Sequence, residues 1–409
     1  RPPEGSRVGA FADWLGGPIC PDAFPPRADL GRYLEARWRD LQDRFGAAAV
    51  PTRLIPTRAI GLSRSAEGWQ LDTGDRVCGP YAEVLLAPGQ PDVAADPQLA
   101  DWQDHAAKSD AELAPAYPAK AFVEAAVAWR GKHVAIRGFG LSTFDVLRGL
   151  TLAQGGHFEA GRYHASGREP ARILPFSLDG QPPYPKPETR ALDAVFDPTR
   201  AEMEAFNTAL AKAVSGGCDR AIAELSEALL SPVVRVSRAD ASEVEKWSAQ
   251  EWADPGAQNT DGALKCLQHG ISMAAGRAAP DIGYTLGQVW RKWQDNWRAG
   301  FNPARLGPGL AKRLDDFDEG LKRYSYGPPI SAARELLALV EAGVVDLSAV
   351  RDPEIVQTPS GWRLVTAQGT ADVAVMVDAV LPAPDLDRLA DPLLIGLRQA
   401  GLLSPLDPK

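Results

Sequence analysis

The stretch His133-Val134-Ala135-Ile136-Arg137-Gly138-Phe139-Gly140-Leu141-Ser142-Thr143 constrains this chain more than any other. Val134, Ala135 and Ile136 read as a short buried strand. Two closely spaced glycines then turn the chain, and Leu141 to Thr151 has the pattern of a helix ended by Gly155-Gly156. Strand, glycine turn and helix make one βα unit, the building block of a parallel sheet. The turn has the spacing G-x-G-x-x-[small], with Thr143 in the third place. Gly138 permits the tight turn, Gly140 lets the backbone approach a pyrophosphate, and Thr143 is small enough for the helix to pack on the strand. The helix N-terminus adds free N–H groups and a partial positive charge. Such a pattern carries weight only between a strand and a helix, which is where it stands. It predicts a dinucleotide-binding turn formed by Gly138, Gly140, Leu141, Ser142 and Thr143. The competing reading is an ordinary βα turn that needs glycine for its geometry alone.

An NAD-binding turn is followed about 20 residues on by an acidic residue for the ribose hydroxyls. Here the next extended run reads as Tyr163 to Ser166, continuing through Gly167, Arg168 and Glu169. Ser166 and Arg168 are therefore expected at an adenosine 2′-phosphate, since a guanidinium pairs well with phosphate. This favours NADP over NAD.

Composition narrows the alternatives. A length of 409 residues predicts two or three domains. A net charge of −9 argues against a nucleic-acid or anionic-membrane surface. No apolar run reaches the roughly 20 residues needed to cross a bilayer. Cys20, Cys78, Cys218 and Cys266 form no C-x-x-C pair, so no metal site is expected, and so few cysteines fit a reducing cytoplasm. The five histidines are scattered, no Walker pattern exists, and Ser142 lacks the second glycine of a nucleophile elbow. A missing triad excludes little, because a cofactor can carry the chemistry itself.

Along the chain, Asp29 to Phe45 reads as an amphipathic helix and Val50 to Ser63 as extended. Tyr81 to Ala87 reads as a buried strand ended by Pro88-Gly89. Pro170 to Pro187 is Pro-rich and reads as irregular. Helices are expected at 201–214, 219–230, 242–252, 262–275 and 286–300, the last presenting Trp290, Trp293 and Trp297 on one face, most simply as core. The chain then returns to α/β character, with a strand at 354–357, a hairpin of 362–367 with 371–376, a strand at 377–381 and a helical stretch at 386–401. A recurrence links the two ends. Gly68-Trp69-Gln70-Leu71 precedes Val84 to Pro88, and Gly361-Trp362-Arg363-Leu364 precedes Val380 to Pro384.

Arg137-Gly138-Phe139-Gly140-Leu141-Ser142, Asp145, Leu150-Thr151, Gly155-Gly156, Ser166-Gly167-Arg168-Glu169-Pro170 and Tyr184-Pro185-Lys186-Pro187 occur in an order that resembles the bacterial FAD/NAD(P)-binding proteins of the YdhS-like group. Tyr326-Gly327-Pro328-Pro329 and Asp391-Pro392-Leu393-Leu394 share the resemblance. Leu86-Ala87-Pro88-Gly89 looks like the segment that passes near FAD. The group is similar in architecture to class B flavin monooxygenases. The resemblance implies an α/β fold, with a Rossmann-like dinucleotide-binding domain inserted in a second, FAD-type α/β domain and a large helical insertion. It divides the chain into a first FAD-type part (1–114), an NAD(P)-binding Rossmann core (115–196), the helical insertion (197–325), a return of the NAD(P) domain (326–352) and a second FAD-type part (353–409). It implies FAD and NADP (or NAD) as cofactors, Ala87, Pro88 and Gly89 at the flavin, and Arg27 as a cationic neighbour or a helix-end residue. The group's first G-x-G-x-x-G is expected before Arg1 and its closing segment after Lys409, so both ends read as cut. The implied activity is an FAD-dependent oxidoreductase reduced by NAD(P)H, monooxygenase-like, on a small molecule. The alternatives are a non-catalytic dinucleotide- or partner-binding module and a transferase on a Rossmann core.

Overall fold

The computed structural model describes residues 5–16, 20, 22–48, 51–256, 258, 260–307, 309–382 and 385–405. Val50, Ala383 and Pro384, which enter the strand and recurrence readings, lie outside these. The chain divides into two compact units, Arg1–Val93 with Asp385–Ser404, and Ala94–Pro384 with Pro405–Lys409.

The first unit holds helices α1 (Phe11–Trp14) and α2 (Arg27–Ala47) and strands β1 (Gly61–Ser65), β2 (Gly68–Asp72) and β3 (Val77–Tyr81). Tyr33 of α2 meets Phe11 and Trp14 with ring centroids 5.2 and 5.6 Å away. Asp40, buried on the same helix, accepts hydrogen bonds from Ser6 Oγ and Arg7 Nε. The three strands form an antiparallel meander. Its apolar cluster gathers on the helix Pro392–Gln399, where Leu393, Leu394 and Leu397 pack with Ala59 and Leu62. Arg58 ties the unit's two chain segments together by bridging Asp92 and Asp391.

Tyr81 to Ala87 is not a buried strand. The strand stops at Tyr81, the chain continues without regular structure, and Leu85 is 92% exposed. An apolar run becomes a buried strand only with a partner strand and a facing layer. The small core of this unit lies elsewhere and supplies neither.

The second unit begins with α3 (Pro97–Ala106), β4 (Glu112–Pro115), α4 (Ala119–Ala126), β5 (His133–Arg137) and α5 (Leu141–Leu150). There follow a two-stranded hairpin, β6 (His157–Glu159) with β7 (Arg162–His164), then β8 (Arg172–Phe176). Six helices come next: α6 (Arg190–Ala194), α7 (Arg200–Ser215), α8 (Cys218–Ser237), α9 (Ala241–Ala253), α10 (Ala263–Ala274) and α11 (Ile282–Phe301). Helices α12 (Leu310–Ser325) and α13 (Ile330–Glu341) lead into β9 (Glu354–Thr358), β10 (Gly361–Thr366), β11 (Gly369–Val373) and β12 (Val375–Asp378).

The central sheet is parallel, in the order β4-β12-β5-β8. The fold is thus mixed α/β with a parallel sheet, of the kind that binds dinucleotides. Its middle strands are continuous apolar runs, with Val134, Ala135, Ile136, Val375, Met376 and Val377 fully buried, as expected of a sheet covered on both faces. Two details depart from the sequence reading. The strand following α5 in the sheet is β8, from the stretch read as irregular, whereas Tyr163 pairs antiparallel in the hairpin. Pro175 lies within β8, and its position beside Ile136 shows that a Pro-rich composition had hidden a strand rather than excluded one. The boundary at 114/115 falls within β4, and β12, from the expected second FAD-type part, pairs in this sheet with β5 of the expected NAD(P) core.

The recurrence has a structural meaning. Gly68 and Gly361 each open the middle strand of a three-stranded antiparallel meander, β1-β2-β3 and β9-β10-β11. Their φ angles are +139° and +153°. A Cβ at Gly68 would sit 2.6 Å from Tyr81 O, and one at Gly361 would sit 1.9 Å from Val373 O. Only glycine admits that backbone approach.

Among the helices, α7 starts with a capping box in which Thr199 N–H donates to Glu202 Oε2 and Glu202 N–H donates to Thr199 Oγ1. Glu202 also accepts from Arg235 of α8, fastening the two helices. Helix α8 runs through Pro232 instead of stopping near it. A helix-interior proline costs roughly 3 kcal/mol, which burial of Leu229, Val233 and Val236 offsets. Trp290, Trp293 and Trp297 of α11 are core, packed with Phe206, Leu225, Leu314 and Phe317.

Candidate active site

The carboxyl ends of β4, β12, β5 and β8 bring Tyr117, Ala379-Val380, Gly138-Phe139-Gly140 and Ser177-Leu178 to one edge of the sheet. Ligands of open α/β sheets bind at that edge. Gly138 has φ +110°, and its N–H donates to Phe176 O at 2.8 Å. Phe139 is 3% exposed and packs in the core beneath the sheet edge, pinning the turn from inside. Thr143, buried on the first turn of α5, donates from Oγ1 to Gly138 O at 2.9 Å. Its role is therefore to close the turn as well as to admit close packing. Ser142 is also buried, and Leu141 is half-buried.

Gly140, by contrast, faces outward. It caps α5 in an extended conformation (φ −91°, ψ −158°), and a Cβ built there would meet nothing within 4 Å. The side chains of this corner point inward and leave the outer backbone surface open. First-turn N–H groups of a helix have no partner within the helix, so the corner presents donors and a positive dipole end to whatever approaches. Of the five residues, Gly140 offers the open backbone, while the N–H groups of Gly138 and Thr143 are bonded to Phe176 O and Gly140 O. Beside the corner, Tyr117 Oη donates to Asp145 of α5 at 2.7 Å.

Ser166 and Arg168 do not join this corner. Ser166 Oγ and Arg168 Nε both donate to Gln154 O, beyond the far end of α5. Glu169 O accepts from Gly131 N–H, and Ala171 N–H donates to Lys132 O, just before β5 begins. These residues lie at the amino edge of the sheet, one strand length from the glycine turn. The assignment to an adenosine 2′-phosphate is corrected accordingly: it assumed that Tyr163 to Ser166 was the next parallel strand. At the carboxyl end of β8, the next parallel strand, Ser177 Oγ donates to Asp179 Oδ1 at 2.8 Å and Asp179 pairs with Arg323 at 3.2 Å. Asp179 carried no sequence signal, because β8 was concealed and the hairpin lengthens the interval from the glycine turn.

What the 166–169 loop does is structural. Glu169 is 7% exposed and accepts from Tyr163 Oη and from the N–H groups of Ser166 and Gly167. Burial works against its charge, but these donors outweigh it and hold the carboxyl below its usual range. A carboxylate depressed in the folded state stabilises the fold above its unfolded pKa and loses that contribution as pH falls through the lower folded value. Glu169→Gln is therefore expected to lower the midpoint of thermal unfolding at pH 7, with the gap to the parent protein closing as acidification passes below the usual carboxylate range. A pH series of melting curves reads this directly.

Ala87, Pro88 and Gly89 lie in the first unit, exposed and outside regular structure. Gly89 has φ +72° with open space around it. Arg27 is the first residue of α2. Away from the sheet edge, a cavity of about 420 Å³ lies among the helices, lined by Tyr184, Glu243, Trp247, His269 and Asp281 among others. Among the described residues no group of three or more His, Cys, Asp or Glu side chains could hold a metal, and no helix is long and apolar enough to cross a membrane.

Residues 3–91 match the FAD-NAD(P)-binding family. That match lies within the first unit, separate in sequence from the Gly138 corner. The chain thus carries a segment like that of FAD/NAD(P)-binding proteins. It is related at a distance to monooxygenases, and the resemblance read from the sequence holds at that level, without singling out the YdhS-like group. It is 27% identical over 95% of its length to nitrosuccinic acid synthase npaA of Aspergillus oryzae, covering 67% of that protein. It is 29% identical over 93% of its length to an L-aspartate N-monooxygenase (nitrosuccinate-forming) of Streptomyces cremeus, covering 65% of it. A like-named enzyme of Streptomyces davaonensis is 26% identical over 94% of this chain, with 68% of it covered. The chain thus spans about two thirds of the length of these relatives.

Proposed function

We propose that this protein is an FAD-dependent monooxygenase, reduced by NAD(P)H, that oxidises the amino nitrogen of a small acidic amino acid of the aspartate type. The supporting observation is the alignment of nearly the whole chain with a nitrosuccinic acid synthase and two aspartate N-monooxygenases. The open backbone corner at Gly140 is the feature of the structure that fits one of the required cofactors.

In this reading the unit made from both ends of the chain serves FAD, with Ala87, Pro88 and Gly89 on the flavin side. The parallel-sheet unit serves NAD(P)H, and the helices from α7 to α12 form a substrate-side insertion. When bound, NAD(P)H would supply the hydride that reduces the flavin, and FAD would supply the oxygen chemistry. The chain's own residues do the binding. First-turn amides of α5 hold the diphosphate, Phe139 and Thr143 keep the turn in shape, and the carboxyl end of β8 faces the adenosine end. The few cysteines fit a cytoplasmic setting for such an enzyme.

The test is to purify the whole protein, read its absorbance near the flavin bands, and follow NADH and NADPH oxidation with and without L-aspartate. The expected result is a yellow protein whose NAD(P)H oxidation rises on adding aspartate, with an N-oxidised product in the mass spectrum. A yellow protein that oxidises NAD(P)H but ignores aspartate and other amino acids would remove the substrate assignment. A colourless protein that neither binds added FAD nor oxidises NAD(P)H would remove the enzyme assignment.

A further inference from the structure

Directly before Gly138, the last residue of β5 places a cation between two carboxylates. Arg137 Nη2 donates to Asp96 Oδ2 at 2.6 Å, and Nη1 donates to Asp378 Oδ1 at 3.3 Å. The guanidinium carbon lies 5.7 Å from the centre of the Trp102 ring. The side chains of Arg137 and Asp378 are only 15% and 14% exposed. Burying three charged groups is costly, and buried ion pairs add little net stability compared with apolar residues of similar volume. The cluster therefore calls for another explanation, and its position supplies one.

Each member is tied to a different part of the sheet edge. Asp96 is the N-cap of α3, where its other oxygen accepts from Leu99 N–H. Asp378 is the last residue of β12 and stands beside Arg137 in the parallel register. Its Oδ1 also accepts from Val380 N–H, and Ala379 N–H donates to Arg137 O at 2.9 Å. The segment so held, Ala379-Val380, is the wall against the glycine turn. A Cβ at Gly138 would lie 3.4 Å from the Ala379 carbonyl and 3.4 Å from Val380 Cγ2.

We propose that Arg137, bridging Asp96 and Asp378, is a positioning residue that fixes the Ala379-Val380 wall against the Gly138 turn and so sets the seat of the nucleotide. This rests on the reading of the glycine turn as the NAD(P)H site. Arg137 touches no nucleotide itself. Removing it takes the shared cation from the Asp96 and Asp378 carboxylates, and their repulsion pushes the Asp378 end of β12 away from the start of α3, loosening the Ala379-Val380 segment. The turn then keeps its own backbone but loses the wall that bounds it.

The experiment compares the whole, FAD-loaded protein with Arg137→Ala, Arg137→Lys and Asp378→Asn. It measures NADH and NADPH dissociation constants, melting temperature, FAD content and the rate of flavin reduction at saturating nucleotide. Arg137→Ala is expected to weaken nucleotide binding about tenfold or more, with FAD retained and the saturated rate of flavin reduction unchanged. Asp378→Asn keeps an oxygen for Arg137 and for Val380 N–H, and should bind within about threefold of the parent. Arg137→Lys keeps the charge but cannot span both carboxylates, and should fall between. A merely stabilising cluster would lower the melting temperature of Arg137→Ala and leave its dissociation constants unchanged, and that result overturns the proposal. If Arg137→Ala does not fold, parent-like nucleotide binding by Arg137→Lys overturns it equally. A parent protein that binds FAD but no NAD(P)H would instead refute the underlying reading of the turn.

Discussion

Gly140→Glu is expected to fold as the parent does and to lose about two orders of magnitude in NAD(P)H affinity. The backbone at Gly140 is extended, a conformation open to any residue, and nothing stands within 4 Å of a new Cβ. The substitution therefore carries no steric cost within the protein. It does place a carboxylate where the diphosphate is proposed to lie. Two like charges about 4 Å apart repel by roughly 4 kcal/mol near a protein surface. Solvent at this exposed position reduces that, to an effect of about 100-fold. Calorimetric titration with NADPH and NADH, alongside a melting curve, separates the effect from unfolding. Unchanged nucleotide affinity in a folded Gly140→Glu protein would show that the corner is not the diphosphate seat. Gly138→Glu would not serve, because φ +110° strains any side chain and stability would fall with binding.

The largest loss of stability is expected for Trp290→Ala, at about 3–5 kcal/mol. Trp290 is fully buried, and its ring lies 5.3 to 5.9 Å from those of Trp297, Phe317 and Phe206. Its Nε1 donates to Asp318 Oδ1 at 2.7 Å, where Gln294 Nε2 also donates. Truncation opens a cavity between α7, α11 and α12 and takes one donor from a shielded carboxylate. Trp293 provides the comparison. It is equally buried and stacks on Phe206 at 4.2 Å, but among the described residues its Nε1 has no hydrogen-bond partner. An unpartnered buried donor is a cost already present in the native fold. Trp293→Phe is thus expected to lose less than Trp290→Phe, despite the same change in volume. Chemical unfolding of the three variants gives the ranking, and a Trp293→Phe loss equal to that of Trp290→Phe would contradict it.

The glycine turn was legible because every residue in it answers to a local rule. Positive φ needs glycine, an open backbone needs glycine, and a helix start needs a short side chain. The tryptophan stripe was legible for a similar reason, since helical spacing alone places three indoles on one face. What failed was reasoning that needed a partner. Tyr163 to Ser166 and Tyr81 to Ala87 have the composition of buried strands, but composition does not say which strand pairs with which. Arg172 to Phe176 has such a partner in β5, and it was hidden by its Pro-rich surroundings. That single misplaced strand moved Ser166 and Arg168 to the wrong edge of the sheet and left Asp179 unnoticed. The Arg137 cluster was invisible for the same reason, because Asp96 and Asp378 are remote from Arg137 in sequence and meet it only through the sheet.

The neighbour of β5 on one side is β12, and Asp378 follows Arg137 by 241 positions. Closing so long a loop must precede any gain from the pairing, so contacts of this kind form slowly and late. During synthesis, Gly138 leaves the ribosome long before the strand that will flank it. At about 5–20 residues per second, that interval is of the order of 10 to 50 seconds. Throughout it the apolar edge of β5 is unpaired, and a nascent chain of this protein is exposed to aggregation at the very element that later shapes its ligand site.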